Sequence, residues 1–383
     1  MKVLSLFDGM ACGALAMQAA GIEIDKYIAY EVDKYAIQTA QHNFPFIEER
    51  GDVFKADFKE YAGFDYLIGG SPCTYWSIAQ TKNRETVASG MGWELFSQYV
   101  RALHEAKPRF FLYENNKSMS AAIRASITET FGFEPILINS ALVSAQNRQR
   151  LYWCGIRQED GTYRKADIQQ PADRGILLKD ILETNGTTWL EKSHTIDATY
   201  YKGGTLKGEK PHQNSTRLMA AEPIAIRDDG KAHVLTASYD GAVIWNSLVR
   251  HQRTMVAEPV CLNRDTDKAV PLTASYFKYS ASDSFKKANP RMGVAEPLRV
   301  NEATKDAPIY EVKDGFITVK GNKYPIKLVD GFYIIRKLTV RECMRLQTVP
   351  EWYEWPVSKS QAYKMLGNGW TVEVIAHLLR GLK

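Results

Sequence analysis

The chain reads as a doubly wound α/β protein, a mostly parallel sheet with helices on both faces, carrying a second, smaller β-rich unit. Three observations predict this class. Over residues 1–155, short apolar runs alternate with amphipathic stretches, the rhythm of successive βα units. Between 190 and 300 that rhythm stops, and Thr, Tyr and Val mix with frequent Gly and Pro, as in short strands and turns. After residue 336 helical text returns.

Taken in order, Val3–Phe7 is the first strand, then come a glycine-bearing turn and a helix over Ala14–Ala20. Tyr27–Tyr30 is a strand, followed by a helix over 33–42. Tyr66–Ile68 ends the apolar run that starts at Phe64, and a long loop leads from it to a helix over 93–106. Arg109–Tyr113 is a strand, 119–131 a helix, and Pro135–Ile138 and Arg150–Cys154 are further strands. Strands this short and apolar suit a sheet covered on both faces. In the middle, His194–Tyr200 resembles His233–Tyr239 and Val270–Tyr276. Each is followed by a basic stretch and an Ala-Glu-Pro, at 221–223, 257–259 and 295–297, a spacing of 36–39 residues. Three such units are enough to stack. Phe316–Ile335 alternates like a pair of hairpins with turns at Gly321-Asn322 and Asp330-Gly331. Thr339–Leu346 and Gln361–Leu366 are amphipathic helices, and Thr371–Leu379 follows Gly367-Asn368-Gly369.

The 383 residues are enough for a large core and two domains. With 45% hydrophobic and 24% charged residues, the composition is that of a soluble globular protein. Cysteines 12, 73, 154, 261 and 343 form no CxxC pair and no metal-ligand spacing, which argues against a disulfide scaffold or a metal site and for a reducing compartment. The first apolar stretch meets Asp8 too soon for a signal peptide, and no run approaches the ~18 residues of a membrane span. A cytoplasmic protein with no membrane partner is expected. The net charge is +5, and residues 186–335 hold 21 Lys+Arg against 17 Asp+Glu. The excess thus sits in the β-rich segment, as it would for a polyanion partner.

Ligands of doubly wound sheets sit beyond the carboxyl ends of the strands, and the chemistry-bearing residues cluster at such places. Phe7–Gly13 carries glycines that let the backbone approach a ligand and open a helix. A simple strand-to-helix turn is the bland alternative. Glu31 ends the second strand, where an acidic side chain can take ribose hydroxyls, and Asp52 can contact an adenine amine. Either alone is often a helix cap; together, behind a glycine turn, they point to an adenosyl ligand. No Gly-x-x-x-x-Gly-Lys-Ser/Thr is present, which disfavours a triphosphate. Cys73, straight after Gly70-Ser71-Pro72, is a poor core residue and a good nucleophile. Glu114, behind the apolar Phe110–Tyr113, is costly to bury unless bonded. Arg148 and Arg150 alternate on an extended stretch and share a face. They are surface charges or, since Arg150 runs into Leu-Tyr-Trp-Cys, partners of an anion or carbonyl.

Together these residues resemble the cytosine-C5 DNA methyltransferases. The motifs fall in that family's order: Phe7–Gly13, Glu31, Asp52, Gly70–Cys73, Glu114-Asn115, Gln146–Arg150, Arg341–Gln347 and Gly367-Asn368-Gly369. The first loop is most similar to the animal de novo branch and to phage relatives, with Ala11 replacing the commoner central glycine. Asn116 stands where the family usually has valine. The resemblance spans 1–185 and 336–383. It implies a Rossmann-like, S-adenosylmethionine-dependent fold. Residues 1–185 would form the catalytic and cofactor domain. Residues 186–335, with their three degenerate repeats, would be an inserted target recognition domain, and helices in 336–383 would fold back to complete the first domain.

The resemblance also implies roles. Cys73 would add to C6 of a cytosine flipped out of duplex DNA. Glu114 would hold the N3 and N4 edge, Arg150 the O2 carbonyl, and Arg148 the loop carrying Cys73. S-adenosyl-L-methionine would lie against Phe7, Asp8, Gly9, Gly13, Glu31, Val32, Asp52, Val53, Pro72, Asn368 and Thr371. Double-stranded DNA would meet Ser71, Thr74, Lys82, Asn83, Arg84 and Gln146, with residues 74–92 closing over the base. In the recognition segment, Arg217, Arg253, Lys278 and Arg291 are the candidates. A monomer is expected, with a dimer as the alternative, in a bacterial or phage-infected cell. Three other readings stay open: an RNA substrate, since related enzymes methylate tRNA, a catalytically silent nucleic-acid-binding paralogue, and a methylase of free pyrimidine nucleotides. The large insertion favours duplex DNA over RNA or a free nucleotide, and intact Cys73, Glu114, Arg148 and Arg150 favour an active enzyme.

Overall fold

The structure, a computed structural model, describes residues 1–77, 84–183, 255–259, 309–319, 321–325, 328 and 330–382. Among the described residues, eight strands form the main sheet: β1 (Lys2–Leu6), β2 (Lys26–Tyr30), β3 (Glu48–Glu49), β4 (Tyr66–Gly69), β5 (Phe110–Asn116), β6 (Ile136–Asn139), β7 (Gln149–Arg157) and β8 (Tyr163–Lys165). Their order is β3-β2-β1-β4-β5-β7-β6, with β8 on β7. The strands from β3 to β5 run parallel, and β7 is antiparallel to β5, β6 and β8. The chain winds outward from β1 in both directions. The crevice beyond the carboxyl ends of β1 and β4 is therefore the switch point where such sheets bind ligands.

Both faces are buried, and strict alternation along each strand divides the core in two. Val3, Tyr27, Ala29, Tyr66, Ile68, Phe110, Leu112, Tyr152 and Cys154 face one core. That side also holds α1 (Cys12–Ala19), α2 (Lys34–Asn43), α5 (Val340–Leu346), α6 (Lys359–Asn368) and α7 (Val372–Arg380). Leu4, Leu6, Ile28, Tyr30, Leu67, Phe111, Tyr113, Leu151 and Trp153 face the other, against α3 (Gly90–Ala106) and α4 (Ala121–Phe131). Strands read as unbroken apolar runs because both phases of the period-2 pattern are buried. Helix starts follow capping chemistry. Asp33 accepts from Tyr35 N at α2, Ser120 from Ile123 N at α4, and Thr339 and Glu342 form a reciprocal capping box at α5.

Several boundaries differ from the sequence reading. β5 runs on to Asn116, so Glu114 lies inside a strand and not at its end, because β7 pairs with it throughout. The helix expected from 93 begins at Gly90. A second, antiparallel sheet holds β9 (Met255–Pro259), β10 (Ile309–Lys313), β11 (Phe316–Val319), β12 (Asn322–Pro325) and β13 (Gly331–Lys337), in the order β12-β11-β10-β13-β9. The turn near Gly321 joins β11 to β12 as expected. Asp330-Gly331 is not a hairpin turn, however: β13 pairs with β10 and β9. The tight turn is Asp314-Gly315, whose φ values of 53° and 74° match the two-residue type that follows strand twist. The Ala-Glu-Pro at 257–259 ends β9, while the other repeat elements lie outside the described residues. Among the described residues, no helix is long and apolar enough to cross a membrane.

Candidate active site

The loop after β1 is bent into an unusual shape. Phe7, Gly9 and Ala11 all have positive φ, at 58°, 61° and 59°. The Phe7 amide donates to the Tyr30 carbonyl at 2.9 Å, which ties the loop to the end of β2. A non-glycine residue in this region is costly, so the surroundings must enforce it. Asp8 is one enforcer. Its Oδ1 accepts from Ser5 Oγ at 2.5 Å and Tyr27 OH at 2.6 Å, while Oδ2 is buried with no partner among the described residues. Burial lifts its carboxyl to about 6 despite those two bonds, and Glu31 adds repulsion. Gly13 must lack a side chain, since a Cβ would run into Ile68 and come within 2.5 Å of Tyr27 OH.

Glu31 closes the same loop. One oxygen accepts from Gly9 N at 2.8 Å, and the other from Val32 N at 2.8 Å and Asp33 N at 2.9 Å. Val32 beside it is 72% exposed, an apolar side chain left in solvent next to a carboxylate. Sequence reasoning missed Glu49, at the end of β3. Both its oxygens are shielded and have no partner among the described residues, and burial, with Asp8 and Glu31 nearby, pushes it up to about 8. Asp8, Glu31 and Glu49 thus line the ends of three adjacent strands with acid.

Beyond β4, Cys73 opens the 3-10 turn Cys73–Tyr75, with Pro72 and Thr74 exposed. Ser71 is buried in a network on the opposite face of β5. Its hydroxyl meets Tyr113 OH at 2.6 Å, and Asn115 Nδ2 donates to the Ser71 carbonyl at 3.2 Å. Glu114 emerges on the other face. Arg150 Nε meets its Oε1 at 3.1 Å, and Trp370 Nε1 donates to its Oε2 at 3.1 Å. Gly70 explains how the cysteine loop fits against this carboxylate, because a Cβ there would lie 2.8 Å from Glu114 Oε2. Arg148, 3% exposed, grips the C-terminal segment, donating to the Gly367 carbonyl at 3.2 Å and the Gly369 carbonyl at 2.8 Å. Gln146 is fully buried, and neither end of its amide has a partner among the described residues.

Other expected site residues sit elsewhere. Thr371 is 1% exposed, and its hydroxyl is spent on Gln347 and Ser140. These bonds fasten the start of α7. Val53 is buried in the same core cluster as Phe58. Arg84 anchors its loop, with Nε 3.2 Å from the Trp76 carbonyl and Nη2 2.7 Å from the Ser118 carbonyl. Asp52 accepts from Phe54 N at 3.0 Å, the cap that a strand-end acid often is. Asn368 ends α6, exposed. Lys82, Asn83, Arg217, Arg253, Lys278 and Arg291 lie outside the described residues. Trp370 carried no signal of its own in the sequence, since only the fold brings it to Glu114.

A doubly wound sheet with a bent first loop and an acid after β2 at the switch point places the chain in the class of α/β proteins that bind a nucleoside cofactor there. The family model of the C-5 cytosine-specific DNA methylases matches residues 1–383, and the chain belongs to that family. It is 25% identical to an orphan methyltransferase, M.SPRI, of Bacillus phage SPR, over 100% of this chain and 97% of that protein. It is 24% identical to the type II methyltransferase M1.ScrFI of Lactococcus lactis subsp. cremoris, over 98% and 76%. Among solved structures, the S. pombe Dnmt2 methyltransferase superposes with a TM-score of 0.51 at 13% identity, covering 100% of this chain and 98% of that one, a likeness of fold. The chain is a DNA cytosine-C5 methyltransferase, and its fold and family imply S-adenosylmethionine as donor.

Proposed function

We propose that Cys73 of this enzyme adds covalently to C6 of a cytosine flipped from duplex DNA, with Glu114 and Arg150 holding the base. The observation that carries this is the contact of Gly70 with Glu114. It puts the cysteine loop beside a carboxylate already paired with Arg150, at the carboxyl ends of the sheet. The thiolate adds to C6 while Glu114 shares a proton with N3, which leaves C5 electron-rich. With Nε of Arg150 on Glu114 and Nη1 on the Gln149 carbonyl, Nη2 would meet O2 as that oxygen gains charge. Once C5 carries the methyl group, loss of the C5 proton and departure of the thiolate would restore the ring. The base must leave the stack for sulfur to reach it.

The residues present fit the donor. Asp8, with one buried oxygen lacking a partner among the described residues, and Glu31 favour a cationic ligand, and exposed Val32 offers an apolar face to an adenine ring. Glu31 has three amide donors and about four acceptor sites, which leaves room for a ribose hydroxyl. Bound there, S-adenosylmethionine supplies an electrophilic methyl group on sulfur. The product would be DNA carrying 5-methylcytosine.

The test is trapping. Duplex DNA bearing 5-fluorocytosine at target sites, incubated with the donor, should form an SDS-stable adduct with wild type and none with Cys73→Ala. Adducts on matched RNA alone would overturn the DNA reading, and methylation by Cys73→Ala at the wild-type rate would end the covalent route.

A further inference from the structure

We propose that Trp370 is a positioning residue for the reaction: its indole N–H orients the Glu114 carboxylate against the base. This rests on the reading of Glu114 given above and goes beyond it. Alternation along β5 sends Glu114 to the face covered by the C-terminal segment, which is why a residue 256 positions away can reach it. Trp370 Nε1 donates to Oε2 at 3.1 Å, and Arg150 Nε meets Oε1 at 3.1 Å. One donor comes from the paired strand β7 and the other from beyond α6. Held at both oxygens, the carboxylate cannot spin about its last bond.

The chemistry of the two donors matters. Indole only donates, so it takes one lone pair of Oε2 and offers nothing in return. Arg150 takes one on Oε1. Of the carboxylate's roughly four acceptor sites, one per oxygen is left for the N3 and N4 edge of cytosine. Glu114 without Trp370 would keep a partner but lose its plane.

Trp370 is itself held in place. Arg148 grips the carbonyl of Gly369, just before it, at 2.8 Å. Gln347 Nε2 donates to the Leu366 carbonyl at 2.6 Å, and Thr371, just after it, is fixed by Gln347 and Ser140. Cys12 Sγ lies 3.8 Å from the Trp370 carbonyl, so the first loop touches the same residue. Gly70 packs over the bond from the cysteine side, where a Cβ would lie 3.4 Å from Trp370 Nε1. This much bracing around an indole whose N–H ends on the active carboxylate fits a part that sets geometry.

The experiment is a double-mutant cycle read by single-turnover methyl transfer to duplex DNA. Trp370→Phe keeps a ring and removes the donor; Glu114→Asp keeps a carboxyl group but withdraws it from the indole. Trp370→Phe should lower the rate roughly tenfold, the worth of one charge-assisted hydrogen bond, with the DNA and donor KM changed less than about twofold. In the Glu114→Asp background the same change should cost less than about twofold. If Trp370→Phe folds poorly, 3-benzothienylalanine at 370, which replaces only the N–H by sulfur, carries the same expectation. Losses that multiply across the two backgrounds, or a change confined to donor KM, would overturn the assignment. The wild-type fluorocytosine adduct separates the two failures. If it forms and the cycle is additive, only the role of Trp370 is wrong; if it never forms, the reading of Glu114 falls and this one with it.

Discussion

Asp8 and Glu49 hold protons that an unfolded chain would release. Burial raises the first from 3.8 to about 6 and the second from 4.5 to about 8. A carboxyl group with a raised folded pKa favours the folded state most below its unfolded value and loses that advantage as pH rises through the folded value. Stability should therefore decline between pH ~4 and ~8, and Glu49→Gln should flatten the upper part of that decline. Urea midpoints measured across the range check this; an equal slope in the variant would show that Glu49 is solvated. Arg148 makes a second prediction at this scale. Its planar fork reaches two carbonyls, which a lysine cannot match. Arg148→Lys should lower Tm by a few degrees and weaken donor binding, since both effects run through residues 367–370. Donor titration and a melting curve are the readouts.

Short elements depend on their ends. α5 has seven residues, too few to persist without its cap and its packing. Thr339 accepts from Glu342 N at 3.1 Å, and Glu342 Oε2 accepts from Thr339 N at 2.8 Å. Glu342 is fully buried, so the reciprocal bond also keeps a carboxylate satisfied. Thr339→Ala should cost about 1 kcal/mol in chemical denaturation, near the usual worth of an N-cap. A loss below a few tenths would mean that packing alone sets the start of this helix. At the other end of the site, Glu85 joins two elements. Its carboxylate accepts from Trp76 Nε1 at 3.0 Å and from Gly92 N at 3.2 Å, which ties the end of the cysteine turn to the first turn of α3. That joint explains why the helix starts three residues earlier than its apolar spacing suggests.

For the whole molecule, the C-terminal helices are part of the first core. Leu346, Leu366, Val374, Leu378 and Leu379 pack with Leu15, Met17 and Ile68 in one cluster. A chain ending at Lys337 should expose that face of the sheet and lose cooperative unfolding, as followed by near-ultraviolet circular dichroism. Supplying 338–383 as a separate peptide should restore it in part. A truncated chain that melts as sharply as the full one would show that the sheet is stable with one face bare.

Apart from β3, the order of the main strands and helices through residue 157 was legible in the sequence, because a two-sided sheet leaves a plain record of apolar runs and caps; Glu48–Glu49 is too short and too charged to leave one. Cys73, Glu114, Arg148 and Arg150 stood out there as a proposed chemical set, because buried charge and a loop thiol after proline are poor core material, and Arg150 does pair with Glu114. The order of the motifs also led to the expectation that residues near both ends meet, as Trp370 and Glu114 do. It left open which face of β5 Glu114 would take, that Trp370 would meet it, that Thr371 and Val53 would turn inward, and that Glu49 would lie beside Asp8 and Glu31. Those are matters of which strand lies next to which and which helix covers which face. Local propensity carries no information about partners more than 200 residues away, and only the packed sheet brings them within bonding distance.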